Sequence, residues 1–340
     1  MNTFFQTLKK IWQTNTLRSR ILYTILILVV FRIAAHITIP GADMEAIKTI
    51  VDNGQQGNGG ALAVFSLLTG GAMQRFSIVL MGLTPYINAS IIMQLLGVIV
   101  PSIENLKKEG EIGQKKINQY TRLLSVPLAF VQSYGMMALI NQFGGGGTIV
   151  DIKDWGTVLP MMVIATAGTV FLMWLGELIT EKGLGNGISL IIFAGIVSTI
   201  PTQIFASLQI AKLPVLLGLI IGMIVLTIFI VYVSEADRRI PVIYASKRGG
   251  TQQRSFLPLK INQAGMIPII FAVSLISMPS VLAQFMSQSG SESVRNAANF
   301  IALYLNPGSP SFWYNALYAL LIWGFTYFYI SIVFRTNISS

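Results

Sequence analysis

The stretch Leu213–Val233 reads LPVLLGLIIGMIVLTIFIVYV. It contains no charged residue, and it is bracketed by Lys212 on one side and by Glu235, Asp237, Arg238 and Arg239 on the other. At 1.5 Å per residue, a helix of this length covers about 30 Å, the thickness of the hydrocarbon core of a bilayer. No face of it is polar, so it does not suit the surface of a water-soluble domain. It reads as a membrane span, and that reading decides the fold class.

Seven further stretches read the same way: Ile21–Ile39, Phe76–Val100, Tyr120–Ile140, Val158–Leu178, Ile188–Ala206, Ala264–Phe285 and Phe312–Val333. The fifth of the eight in chain order is short, with Pro201 as its stop. The predicted fold class is therefore an all-α membrane protein, a multi-span helical bundle. Composition agrees, since 53% of the 340 residues are hydrophobic and 11% charged. Soluble domains carry about 25% charged residues.

The basic residues set the expected orientation. Lys9, Lys10, Arg18, Arg20, Lys107, Lys108, Lys115, Lys116, Arg122, Lys182, Arg238, Arg239, Lys247, Arg248, Arg254, Lys260 and Arg335 fall on one side of the eight spans. Only Lys48, Arg75, Lys153, Lys212 and Arg295 fall on the other. The richer side is cytosolic by the positive-inside rule, so the N-terminus is expected in the cytosol. The same distribution accounts for the net charge of +10 without a nucleic-acid partner. No cleavable signal peptide is expected, because the first apolar run lacks a small-residue cleavage motif.

The loops differ in kind. Residues 61–72, after a Gly-, Gln- and Asn-rich run, contain an apolar piece too short to span, which is expected to be re-entrant or interfacial. In the loop 235–263, Ile240, Val242 and Tyr244 alternate ahead of Lys247-Arg248-Gly249-Gly250, which predicts a cytosolic β-hairpin.

Several chemistries are disfavoured. The chain has no cysteine and a single histidine, His36, so thiolate and histidine metal sites are not expected. No Asp or Glu lies near the centre of a span, whereas proton-coupled transporters and intramembrane aspartyl proteases need buried carboxylates. Arg32 is expected to snorkel or to bond backbone, His36 to pack, and Glu177 to sit at the cytosolic end of the fourth span. No enzyme activity, cofactor or metal is expected.

Five segments in order carry a family resemblance: FRIAAHITIPG (Phe31–Gly41), MGLTPYINASIIMQLL (Met81–Leu96), KKEGEIGQKKINQYTR (Lys107–Arg122), GELITEKGLGNGISLIIFAGIVSTIP (Gly176–Pro201) and FLPLKINQAGMIPIIFA (Phe256–Ala272). They resemble the bacterial SecY family, the central channel subunits of the Sec translocon. The resemblance implies ten spans in two inverted five-span halves, here 1–206 with spans one to five and 207–340 with spans six to eight. It implies a pore ring at Leu83, Ile87, Ile188, Ile192 and Ile270, with a sixth member in the tenth span. It implies a plug carrying Leu62, Val64, Phe65, Leu67 and Leu68, with glycines on both sides that suit a hinge. A lateral gate is implied at Asn88, Gln132 and Met278, where amides are expected to hydrogen-bond across helices. Docking of the SecA motor or the ribosome is implied at Arg238, Arg239, Lys247 and Arg248.

The implied function is conduction of unfolded secretory chains, recognised by their signal sequences, with sideways release of hydrophobic segments into lipid. SecE and SecG are the implied partner subunits, the bacterial cell membrane the implied location, and no DNA is bound. The turn Gly183–Gly187 is expected to be a simple helix cap. Two other readings stay open: a secondary transporter of small solutes, whose inverted repeats and broken helices look similar, and an inactive fragment of the channel.

Overall fold

The computed structural model describes residues 13–41, 71–72, 75–143, 154–210, 213–243, 254–262, 292–305 and 312–338, with isolated positions between 264 and 286. The elements among them are α1 (Asn15–Ala34), α2 (Thr84–Ile99), α3 (Pro101–Lys108), α4 (Glu111–Phe143), α5 (Trp155–Lys182), α6 (Gly187–Ile210), α7 (Leu213–Glu235), β1 (Asp237–Ile243), β2 (Arg254–Lys260), α8 (Glu292–Leu305) and α9 (Phe312–Ile338).

Two of the described helices are long and apolar enough to cross a membrane, Trp155–Lys182 and Pro214–Glu235. A third is reached if Thr84–Gly97 and Pro101–Lys108, bent by 97° at their junction, form one broken span. These correspond to the fourth, sixth and second expected spans. Of the others, the fifth contains a shorter apolar helix, Gly187–Pro201, the seventh, Ala264–Phe285, lies largely outside the described residues, and the first, third and eighth are less plain for physical reasons. Helix α1 carries Arg18, Arg20 and Arg32, and α4 opens on the polar run that holds Lys115, Lys116 and Arg122. Helix α9 is rich in Trp and Tyr, which favour the membrane interface over its core.

The boundaries of the second and fifth spans are corrected. Residues 76–83, expected to be helical, lie in turns, and the helix starts at Thr84. Pro85 lies in the first turn of α2, where its missing N–H costs nothing and where a preceding helix cannot continue through it. Gly82 has a φ of +56° and Phe76 one of +46°, both left-handed. Helix α6 does not stop at Pro201 but runs on to Ile210. Nor is the chain wholly α-helical, since β1 and β2 pair antiparallel, with Asp237 opposite Lys260, Ile240 opposite Leu257 and Ile243 opposite Arg254. Pro241 and Pro258 are tolerated because both strands of a two-stranded sheet are edges. Helix α8, amphipathic and fourteen residues long, has no counterpart among the expected elements.

The chain divides into two compact units. One comprises Met1–Pro201 with Ile276–Tyr314, the other Thr202–Leu275 with Asn315–Ser340. In the first, α4 packs on α2 and α5, and α1 packs on α5. The turns at 75–83 fill the space beside them. Ile39 N–H donates to Phe76 O and Ile78 N–H to Ile37 O, both at 2.9 Å, and Ser77 Oγ donates to Ala34 O at 3.0 Å. Phe76, Leu80 and Met81 join Ile39, Met137, Val158 and Met161 in one buried cluster. Gly168 of α5 permits this approach, because a Cβ there would lie 1.8 Å from Ile78 O.

In the second unit, α7 has a mean hydropathy of 2.9, and only 6% of its apolar window is buried within the chain. An apolar helix left so bare by its own protein is solvated by lipid.

Candidate functional site

The expected ring positions that are described lie in the first unit. Leu83 caps α2 and is buried at 5% exposure, and its carbonyl accepts the N–H of Ile87 at 3.0 Å. Ile188 and Ile192 occupy the first two turns of α6. Three of these side chains adjoin one apolar cluster. Leu83 belongs to a buried cluster with Ile27, Phe31, Val79, Leu172 and Ile191, and Ile188 and Ile192 pack against that cluster half-buried. Ile87 is half-buried and is not part of it. Ile270 lies outside the described residues, as do Met278, Lys247, Arg248 and the plug residues Leu62, Val64, Phe65, Leu67 and Leu68.

Helix α6 is set in place by the turn before it. The N–H of Gly183 ends α5 by donating to Ile179 O at 2.7 Å. Asn186 Oδ1 accepts the N–H of Ser189 at 3.2 Å and starts α6. Thr180 Oγ1 donates to Gly176 O and accepts the N–H of Gly187, both at 2.9 Å. A Cβ on Gly187 would lie 1.9 Å from Gly176 O, so α5 and α6 meet nearly backbone to backbone. The turn is more than the cap expected from sequence. Thr24 Oγ1 of α1 accepts the N–H of Leu184 at 3.2 Å while donating to Arg20 O at 2.8 Å. Helices α1, α5 and α6 are thereby tied at one end.

The amides expected at a lateral gate differ from expectation. Asn88 lies on α2 and Gln132 on α4, which pack together. Asn88 Oδ1 and Gln132 Oε1 are buried with no hydrogen-bond partner, so the cross-helix amide bond expected from sequence is not formed. Among the described residues they are the only buried side-chain oxygens or nitrogens in that state. Unpaired buried carbonyl oxygens are costly and call for a reason.

The charges missed or underread in the sequence fall on helix contacts. Arg122 of α4 forms an ion pair with Glu177 of α5 through Nε and Oε1. Arg32 Nη1 donates to Ser198 Oγ of α6 at 3.0 Å instead of bonding only to backbone. His36 is exposed, not packed, and its Nδ1 donates to Arg32 O at 2.8 Å. Arg238 and Arg239 are exposed on β1, opposite Leu259 and Pro258. No group of three or more His, Cys, Asp or Glu side chains able to hold a metal occurs among the described residues.

Comparison with known proteins gives this arrangement its family. A family model described as SecY matches residues 77–339. The protein translocase subunit SecY of Staphylococcus epidermidis is 41% identical over 339 residues, covering 96% of this chain and 75% of that protein. The subunit of Corynebacterium glutamicum is 41% identical over 327 residues, covering 93% and 74%. A solved structure described as a protein conducting channel superposes with a TM-score of 0.56 at 20% identity, over 85% of this chain and 61% of that one. Sec61 in a canine ribosome-channel complex from the endoplasmic reticulum gives 0.55 at 20% identity, over 85% and 61%. The solved structures speak for the helical channel fold, and the bacterial relatives for the family. The chain belongs to the SecY family of membrane proteins, the protein-conducting channel subunits of the Sec translocase, which are transport components and not enzymes.

Proposed function

We propose that this chain lines the waist of a channel through which unfolded secretory proteins cross the bacterial cell membrane, and that it opens sideways to release hydrophobic segments into lipid. The observation that carries the reading is the convergence of Leu83, Ile188 and Ile192 on one apolar cluster from two different helices. A narrow ring of such side chains dewets and stops ions, yet parts around a polypeptide because no strong bond holds it shut. In this reading Ile87 and Ile270 complete the ring on this chain, and Leu62–Leu68 close it from outside as the plug. Eight spans with a cytosolic N-terminus form two inverted halves, 1–206 and 207–340.

Asn88, Gln132 and Met278 belong to the lateral gate. The exposed Arg238 and Arg239, with Lys247 and Arg248 beyond the strand, offer a basic cytosolic hairpin to the SecA motor or to a ribosome. SecE and SecG are the partner subunits. Energy comes from the motor or from translation.

The test is resting conductance in planar bilayers. Ile188→Asn with Ile192→Asn wets the ring and is expected to give an ion leak from an assembled channel. An assembled channel that stays sealed removes the ring from this chain. A solute transporter would instead show saturable uptake of a small substrate into vesicles.

A further inference from the structure

Helix α4 is held to α5 unevenly. At the cytosolic end, Arg122 pairs with Glu177, and one turn deeper Ser125 Oγ lies 3.7 Å from Met173 Sδ. At the far end, Tyr134 and Trp155 stack with ring centroids 6.1 Å apart and planes within 8°. Between the two ends lies an apolar groove lined by both helices. Val126 and Phe130 line it from α4, and Val163, Val170, Phe171 and Trp174 line it from α5. Dispersion contacts in such a groove are exchanged for lipid contacts at little cost, so the ends decide how firmly the helices hold.

Of the ion pairs formed between described residues, Arg122–Glu177 is the one that joins two long apolar helices. The others, Lys108–Glu104 and Lys116–Glu109, are exposed and local in sequence. The Glu177 side chain is 20% exposed, against 48–68% for the members of those two pairs. It is therefore less screened and is more costly to leave without its partner. Helix α4 also carries Gln132, and it packs on α2 as well as on α5. Whatever fixes α4 to α5 fixes the backing of that contact.

We propose that the Arg122–Glu177 pair is a positioning clasp that holds α4 against α5, and through α4 sets how hydrophobic a signal sequence must be to open the lateral gate. The second half rests on the gate reading above. The first half does not. With the clasp broken, α4 yields more easily, and weaker signal sequences are admitted.

Two readouts separate the halves. The chain has no cysteine, so nitroxide labels go only where they are placed. Labels at Phe130→Cys and Phe171→Cys report the α4–α5 distance by pulsed dipolar spectroscopy in the assembled, reconstituted translocase. Arg122→Gln and Glu177→Gln are each expected to broaden and lengthen that distance. The exchange Arg122→Glu with Glu177→Arg is expected to restore it. In parallel, export of a preprotein with a weakened signal sequence is expected to rise about two- to fivefold in the single variants, and to return in the exchange. Unchanged distances in both single variants overturn the clasp. Lengthened distances with unchanged export leave the clasp standing and overturn its link to the gate. Loss of assembly in Arg122→Gln and Glu177→Gln that the exchange fails to rescue also overturns it, because a specific pair must be rescued by its mirror image.

Discussion

Replacing Asn88 and Gln132 together by Leu is expected to raise the hydrophobicity a signal sequence needs. Both amide oxygens are buried without a partner, and in the proposed reading this arrangement is the closed gate. An unpaired buried carbonyl oxygen costs about 1–3 kcal/mol in soluble proteins. Polar contacts between membrane helices are worth less, averaging about 0.6 and reaching about 1.7 kcal/mol. On opening, the oxygens reach water or an incoming chain, so the penalty belongs to the closed state. Two Leu side chains remove it and leave the α2–α4 contact apolar. The closed state gains on the order of 1–3 kcal/mol, a factor of about 5–150 in its favour.

Exchanging one Ala for Leu in a signal sequence buries about two to three further CH2 groups, worth about 2 kcal/mol in lipid. The export threshold is therefore expected to move by about one Leu. The assay is export into vesicles of one preprotein whose signal core is graded one residue at a time, with motor and nucleotide held fixed. A threshold that stays put, or falls, in a variant assembled as well as the parent refutes the idea that these orphaned oxygens bias the gate toward opening.

Four further outcomes follow from particular contacts. Gly168→Val forces a Cβ to within 1.8 Å of the Ile78 carbonyl, which is backbone and cannot turn aside. A loss of at least about 2 kcal/mol is expected, read as a lower melting temperature of the detergent-purified complex. Thr24→Val keeps the shape but leaves the Leu184 N–H without its 3.2 Å acceptor, and the same measurement is expected to show a loss of about 1–3 kcal/mol. At the start of α5, the Thr157 hydroxyl and the Gly156 N–H hold the Asp154 carboxyl below its usual range. Its folded-state pKa is thus lower than its unfolded one, so its contribution to stability is complete above the unfolded value of 3.8 and is lost as pH falls below it. Melting curves of Asp154→Ala are expected to lack that acid-side loss. Charge reversal at Arg238 and Arg239 is expected to abolish docking of the cytosolic partner in a salt-dependent way, measured by co-sedimentation.

What the sequence disclosed, it disclosed through period and charge. Leu213–Val233 reads as a span because nothing in it is charged and no face of it is polar, and the structure draws α7 over Leu213–Glu235. The hairpin was legible because Ile240 and Val242 alternate on a strand that pairs with Arg254–Lys260. The start of α2 was not, because residues 76–83 are as apolar as a helix, and only Gly82 and Pro85 hint at the turns. Helix α8 was too short and too amphipathic to register as a span.

Contacts distant in sequence left no local trace. Nothing near Thr24 announces a partner 160 residues away; Arg122 reads as a topology charge and Glu177 as a residue at the end of the fourth span, with nothing to join them. Ring residues abound as isoleucines at helical spacing. Only the family resemblance singled out Leu83, Ile188 and Ile192, and the structure then placed them against one cluster.

The central claim is that these three side chains touch the polypeptide in transit. The direct measurement is photocrosslinking from probes at Leu83, Ile188 and Ile192 to a preprotein stalled during translocation, with a probe at the exposed α7 residue Ile221 as the lipid-facing reference. Crosslinks to the stalled chain are expected from the three ring positions and not from Ile221. Equal yields at all four positions, or none at the ring, would contradict the account.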